Sequence, residues 1–202
     1  MNGSPRAGAR RPVYLVAALI TLWLIGMNTL AEGYLTVDVV RDPFASVVSP
    51  LSGRGMEDVV KAAFFEALAK HARTSLPLGV AQILLGGLLV FVAVRALFGR
   101  RATGFTLQLV LANAALLVAV YALREPVRGA IVDAVVRSGL EQHPSGMSAR
   151  EFDHMVRLQW WWRLRVGFGV QLTALLLSAF ALTRKSAREL LTGVEPSTTD
   201  EF

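Results

Sequence analysis

Residues 13–31 read VYLVAALITLWLIGMNTLA, nineteen positions without a charge, and this stretch decides the fold class. A helix needs about 20 apolar residues to cross the hydrocarbon of a bilayer. Three further stretches have the same character. Residues 77–98 are apolar until Arg95, and residues 104–123 are uncharged. The apolar core Val166 to Thr183 is shorter, but Trp160, Trp161 and Trp162 stand before it, and a fourth span at 164–183 follows. No period-2 alternation of the barrel type appears, and helices satisfy their backbone groups internally. The chain reads as an all-α membrane protein, a four-transmembrane-helix bundle.

Composition agrees. The 202 residues are 53% hydrophobic with a mean hydropathy of +0.48, whereas soluble domains are less apolar and about a quarter charged. There is no cysteine, which excludes disulfides, thiolate metal sites and a cysteine nucleophile. The net charge of +6 comes from basic residues that flank apolar blocks, so anionic lipid headgroups are the expected partner and nucleic acid is not. Lysine is confined to Lys61, Lys70 and Lys185, and this arginine-rich, Ala/Leu/Val/Gly-rich usage fits a GC-rich bacterial genome.

Orientation follows from the distribution of Lys and Arg. The N-terminus (1–12), the turn at 99–103 with its flank and the tail (184–202) carry nine basic and four acidic residues. The two long connections, 32–76 and 124–163, carry with Arg165 twelve basic and eleven acidic residues. The expectation is a bacterial inner-membrane protein with both termini in the cytoplasm and both long connections outside. Arg10 and Arg11 before an apolar run ending in Thr29-Leu30-Ala31 also fit a cleavable signal peptide. The run is long for that purpose and Thr-Leu-Ala is a poor cleavage site, so a retained span is the reading.

Both outer segments carry additional amphipathic helices. Residues 56–73 place Val59, Val60, Ala63, Phe64 and Leu68 on one face. Residues 126–140 give a stripe of Val127, Ile131, Ala134 and Val135. Ser148 and Glu151 make a capping box that opens a helix running through the tryptophans into the fourth span, with Asp153 and Arg157 as an i, i+4 pair. The halves also read as a tandem repeat of two hairpins. Arg41-Asp42-Pro43 matches Arg124-Glu125-Pro126, Gly55-Met56 matches Gly146-Met147, and Gln82, Phe91 and Arg95 align on Gln171, Phe180 and Arg184. Four spans with two sizeable outer segments resemble claudins and tetraspanins in topology. Those families carry outer cysteines and this chain has none, so the resemblance implies no function.

The span cores hold amides and no charges: Asn28, Gln82, Gln108, Asn113 and Gln171. This argues against a proton or ion pump. Asn28, Gln82 and Gln171 fall in the outer half of their spans and Asn113 near the middle. Hydrogen bonding between helices is the first account of them, a binding pocket the second. Gly79, Gly86, Gly87, Gly167 and Gly169 would let helices approach closely. Trp160, Trp161, Trp162, Arg163 and Arg165 form a collar for lipid or a protein partner. His71, His143 and His154 with Glu151 are the residues from which a metal site would have to be built, yet nothing in their spacing requires one, and no metal or cofactor is expected. No Gly-x-Ser-x-Gly elbow, P-loop or Gly-x-Gly-x-x-Gly is present. The first functional expectation is a non-catalytic accessory or structural component of a membrane complex, with a protein partner or a second copy. The alternatives are a small transporter or lipid- or quinone-binding protein with a polar pocket in the outer half of the bundle, and a metalloenzyme on the histidines.

Overall fold

The computed structural model describes residues 12–42, 56–98, 105–140 and 148–184, and all of its regular structure is helical. The helices are α1 (Val13–Arg41), α2 (Met56–Lys70), α3 (Ala72–Leu97), α4 (Phe105–Leu123), α5 (Glu125–Leu140) and α6 (Ala149–Thr183). Four of them, α1, α3, α4 and α6, are long and apolar enough to cross a membrane. With 29 and 35 residues, α1 and α6 measure about 44 Å and about 52 Å at 1.5 Å per residue. Both exceed the roughly 30 Å of hydrocarbon, so each continues into a second layer of structure.

Two cores result. The first, between the four long helices, gathers Leu15, Leu19 and Leu22 of α1, Leu89 and Ala93 of α3, Leu109 and Val110 of α4, and Leu175, Ala179 and Leu182 of α6. The second forms where α2 and α5 pack on each other and on the extended ends of α1 and α6. It holds Val39, Ala67, Leu68, Val127, Ile131, Val132, Val135 and Val156, with Phe64, Trp160 and Trp161 against it. Val60, Phe64 and Leu68 of α2 and Val127, Ile131 and Val135 of α5 face this second core, which caps one end of the bundle.

The closest packing is between α1 and α3. The buried positions of α3, at Ser75, Gly79, Gln82, Gly86, Leu89, Ala93 and Ala96, alternate four and three residues apart. Those of α1 follow the same 3.5-residue period through Leu15, Leu19, Leu22, Gly26, Gly33 and Thr36. This is the repeat of a left-handed pair, and glycine on both sides brings the backbones together. A Cβ on Gly33 would lie 2.7 Å from the Gly79 carbonyl oxygen, and one on Gly86 would lie 2.8 Å from the Leu30 nitrogen. Gly167 and Gly169 behave differently from expectation: a Cβ on either meets nothing within 4 Å. Neither is a site of close helix approach.

Helix breaks place the remaining elements. Arg124 alone separates α4 from α5, and backbone bonds Arg124 N–H to Val120 O (3.0 Å) and Arg128 N–H to Arg124 O (3.1 Å) carry the path across. Pro126 has no N–H to continue the ladder, which accounts for the break. His71 plays the same part between α2 and α3. The Ser148 capping box is formed, and α6 runs unbroken from it through the tryptophans. In the first half the straight arm (α1) precedes the broken one, and in the second half it follows. That order lends the tandem repeat no support.

Candidate functional site

At the junction of bundle and cap, one face of α1 presents Asn28, Glu32 and Thr36 at four-residue spacing. The Asn28 amide donates to Glu32 Oε1 at 3.0 Å, and the Gln82 amide of α3 donates to Glu32 Oε2 at 3.2 Å. Across the junction, Arg124 Nη2 donates to Gln82 Oε1 and to Thr36 Oγ1, each at 2.9 Å. Thr36 in turn donates to the Glu32 carbonyl at 2.7 Å. Gln82 is the relay: its oxygen takes a bond from the arginine while its nitrogen gives one to the carboxylate. A side-chain amide can do both at once.

Arg124 is 8% exposed, and a guanidinium held away from water needs both a counter-charge and acceptors. Glu32 supplies the charge through Gln82. The Arg124 Nε and the Arg128 Nε are buried with no hydrogen-bond partner. Burial lowers the pKa of both arginines from the ordinary value, opposed at Arg124 by Glu32 and at Arg128 by Tyr121 and Glu125. Both side chains stay charged, as arginine does in proteins. Arg128 also lies over the Tyr121 ring, 4.0 Å from its centroid, and Tyr121 stacks on Phe168 of α6 at 4.1 Å.

Beside this network lies a recess of about 400 Å³ where α4 and α6 meet the cap. Leu117, Val120 and Phe168 give it apolar walls, Arg124, Arg128 and Arg163 line it as cations, and Glu32, Tyr121 and Gln171 are its other residues with polar groups. A much smaller cavity of about 10 Å³, room for about one water, shares Glu32, Leu117, Val120 and Gln171 with the recess and adds Gln82 and Asn113. Asn113 is 3% exposed. Its nitrogen donates to the Leu109 and Leu85 carbonyls, at 2.9 and 3.3 Å, while its oxygen has no partner.

The structure thus brings Gln82, Asn113 and Gln171 around one cavity. Asn28 is exposed and joins them only through Glu32. Of the collar, Trp160 and Trp161 pack on the cap core, with Arg163 and Arg165 each 5.7 Å from one of their rings, and Trp162 is 69% exposed. Among the proposed metal residues, His71 lines a separate recess of about 450 Å³ between α2 and α5 with Glu66, Lys70, Asp133 and Arg137. His154 is exposed on α6, Glu151 is engaged by Ser148, and His143 lies outside the described residues. Among the described residues no three His, Asp or Glu side chains gather as a metal set.

Sequence reasoning missed Glu32, Arg124 and Arg128. Their signal was position, since Glu32 and Arg124 are the first charges after spans one and three and carry opposite signs. No family model, curated protein or solved structure matches the chain.

Proposed function

We propose that the chain is a non-catalytic, multi-pass protein of a bacterial inner membrane that holds a membrane-dissolved amphiphile in the recess between α4 and α6. Its termini face the cytoplasm and its cap faces outward, following the excess of basic residues at the bundle's other end. The supporting observation is the recess itself. Its volume falls in the range of small-molecule sites, and its lining combines apolar walls with a few charged and polar side chains. Of the sequence readings, the binding protein with a polar pocket gains most from this geometry. The accessory-component reading rests on Trp162, Arg163 and Arg165, which leave an exposed strip for a partner or a second copy.

Native mass spectrometry of the protein extracted in mild detergent tests the binding reading. The expected result is about one amphiphile retained per chain, lost in Gly167→Leu, which places a side chain into the open space at the recess. Bare protein in both forms would overturn it.

A further inference from the structure

The recess carries more positive than negative charge. Three of its lining residues are arginines and one is a carboxylate, and both oxygens of that carboxylate already accept from Asn28 and Gln82. Two of the arginines, Arg124 and Arg128, each keep a buried Nε–H with no acceptor. An orphaned buried donor on a charged group is costly, more so than on a neutral one. The net positive lining therefore calls for an occupant that is negatively charged and rich in acceptor oxygens. The planar fork of donors on each arginine matches tetrahedral oxyanions in a bidentate manner. The apolar part of the recess is built from Leu117 and Val120 of α4 and Phe168 of α6, residues of helices apolar enough to span a membrane. An occupant meeting both parts has an anionic head and a hydrocarbon tail.

Resting on the amphiphile reading above, we propose that the recess recognises the phosphate head of an anionic membrane lipid, with Arg128 and Arg163 as its contacts and Arg124 as the fixed charge behind them. A fatty-acid carboxylate offers two oxygens to three guanidinium groups. A phosphate diester adds ester oxygens to its two non-bridging ones, and a monoester offers three non-bridging oxygens and more charge, so a phosphate fits the set better.

The test uses the full chain in nanodiscs of phosphatidylcholine doped with phosphatidic acid, phosphatidylglycerol or oleic acid, followed by native mass spectrometry of the lipid that stays bound. Arg124 is bonded to Thr36 and Gln82, so the variants are Arg128→Gln, Arg163→Gln and Gly167→Leu. Wild type should retain phosphatidic acid or phosphatidylglycerol over phosphatidylcholine. Each arginine change should cut that preference about fivefold, the effect of roughly one headgroup-level cation. Gly167→Leu should abolish retention of every lipid. If both arginine variants keep the wild-type preference while Gly167→Leu empties the recess, the phosphate assignment falls and the amphiphile reading stands. Oleic acid retained in preference to both phospholipids also overturns the phosphate. Retention unchanged in all three variants overturns both readings. Preference for phosphatidic acid over phosphatidylglycerol marks a monoester head, and equal retention marks the anionic phosphate that the two share; either outcome supports the proposal.

Discussion

Arg124 Nη2 lies 2.9 Å from Gln82 Oε1, so the one-residue break between α4 and α5 is tied to the middle of α3. This bond joins residues 42 apart in the chain, with a charge on one side and an amide on the other. Charge-assisted bonds of this kind contribute about 1.5–3 kcal/mol. Gln82→Leu should therefore lower stability by about that amount, because it strands donors of Arg124 and an oxygen of Glu32 together. A double-mutant cycle with Arg124→Leu in reversible detergent unfolding should show coupling of at least about 0.5 kcal/mol. Strict additivity would mean that the contact carries no energy of its own.

The glycines divide into two classes with opposite expected responses. Gly33→Ala drives a methyl to within 2.7 Å of the Gly79 carbonyl and should destabilise by about 1–3 kcal/mol through overpacking. Gly169→Ala meets open space and removes a helix-disfavouring residue, so it should be neutral or stabilising by up to about 1 kcal/mol. Thermal unfolding of the two proteins side by side decides the matter, and equal midpoints would contradict the close approach of α1 and α3.

The start of α6 should respond to acid. Bonds from the Ser148 side chain and backbone hold the Glu151 carboxyl below its ordinary pKa. A depressed carboxylate stabilises the folded form above the unfolded-state value of about 4.3, and that contribution is lost as pH falls through the lower folded value. Acid titration followed by NMR at the Glu151 and Phe152 amides should show the cap loosening at low pH. Ser148→Ala should move the Glu151 midpoint upward, and an unmoved midpoint would argue that the box does not set it.

Arg157 bridges Asp133 of α5 and Asp153 of α6 at 2.7 and 2.8 Å, and all three side chains are substantially exposed. Exposed pairs are worth about 0–1 kcal/mol and are screened by salt. Arg157→Ala should accordingly shift stability by less than about 1 kcal/mol, and less again in 1 M salt. A larger or salt-insensitive loss would point to packing of the arginine stem.

The absence of cysteine makes orientation simple to test. In intact cells an impermeant maleimide should label Arg137→Cys on the cap and spare Thr198→Cys in the tail until the membrane is permeabilised. The reverse pattern would invert the proposed topology.

What could be read in the sequence was local. Hydropathy gives the four apolar helices because each needs only its own residues. The Ser148–Glu151 box and the Asp153–Arg157 pair are three- and four-residue spacings and appear as written. The pairing of Glu32 with Gln82 spans 50 residues, and that of Thr36 with Arg124 spans 88, distances over which no periodicity carries information. Gly79 and Gly167 are equivalent as letters in apolar helices. Only the partner helix distinguishes a glycine under compression from one beside a recess, and the partner is a property of the fold.

The continuity of α6 has a consequence for how the protein is made. This one helix delivers Leu175, Ala179 and Leu182 to the bundle core and Val156, Trp160 and Trp161 to the cap core, and it follows every other described helix in the chain. During synthesis, both cores wait on the same late-emerging segment. Until it inserts, Leu109 and Val110 lack the α6 side of one core while Val132 and Val135 lack the α6 side of the other. A ribosome stalled before residue 149 leaves a nascent chain open at two levels at once, and a membrane protease would meet it as unfinished.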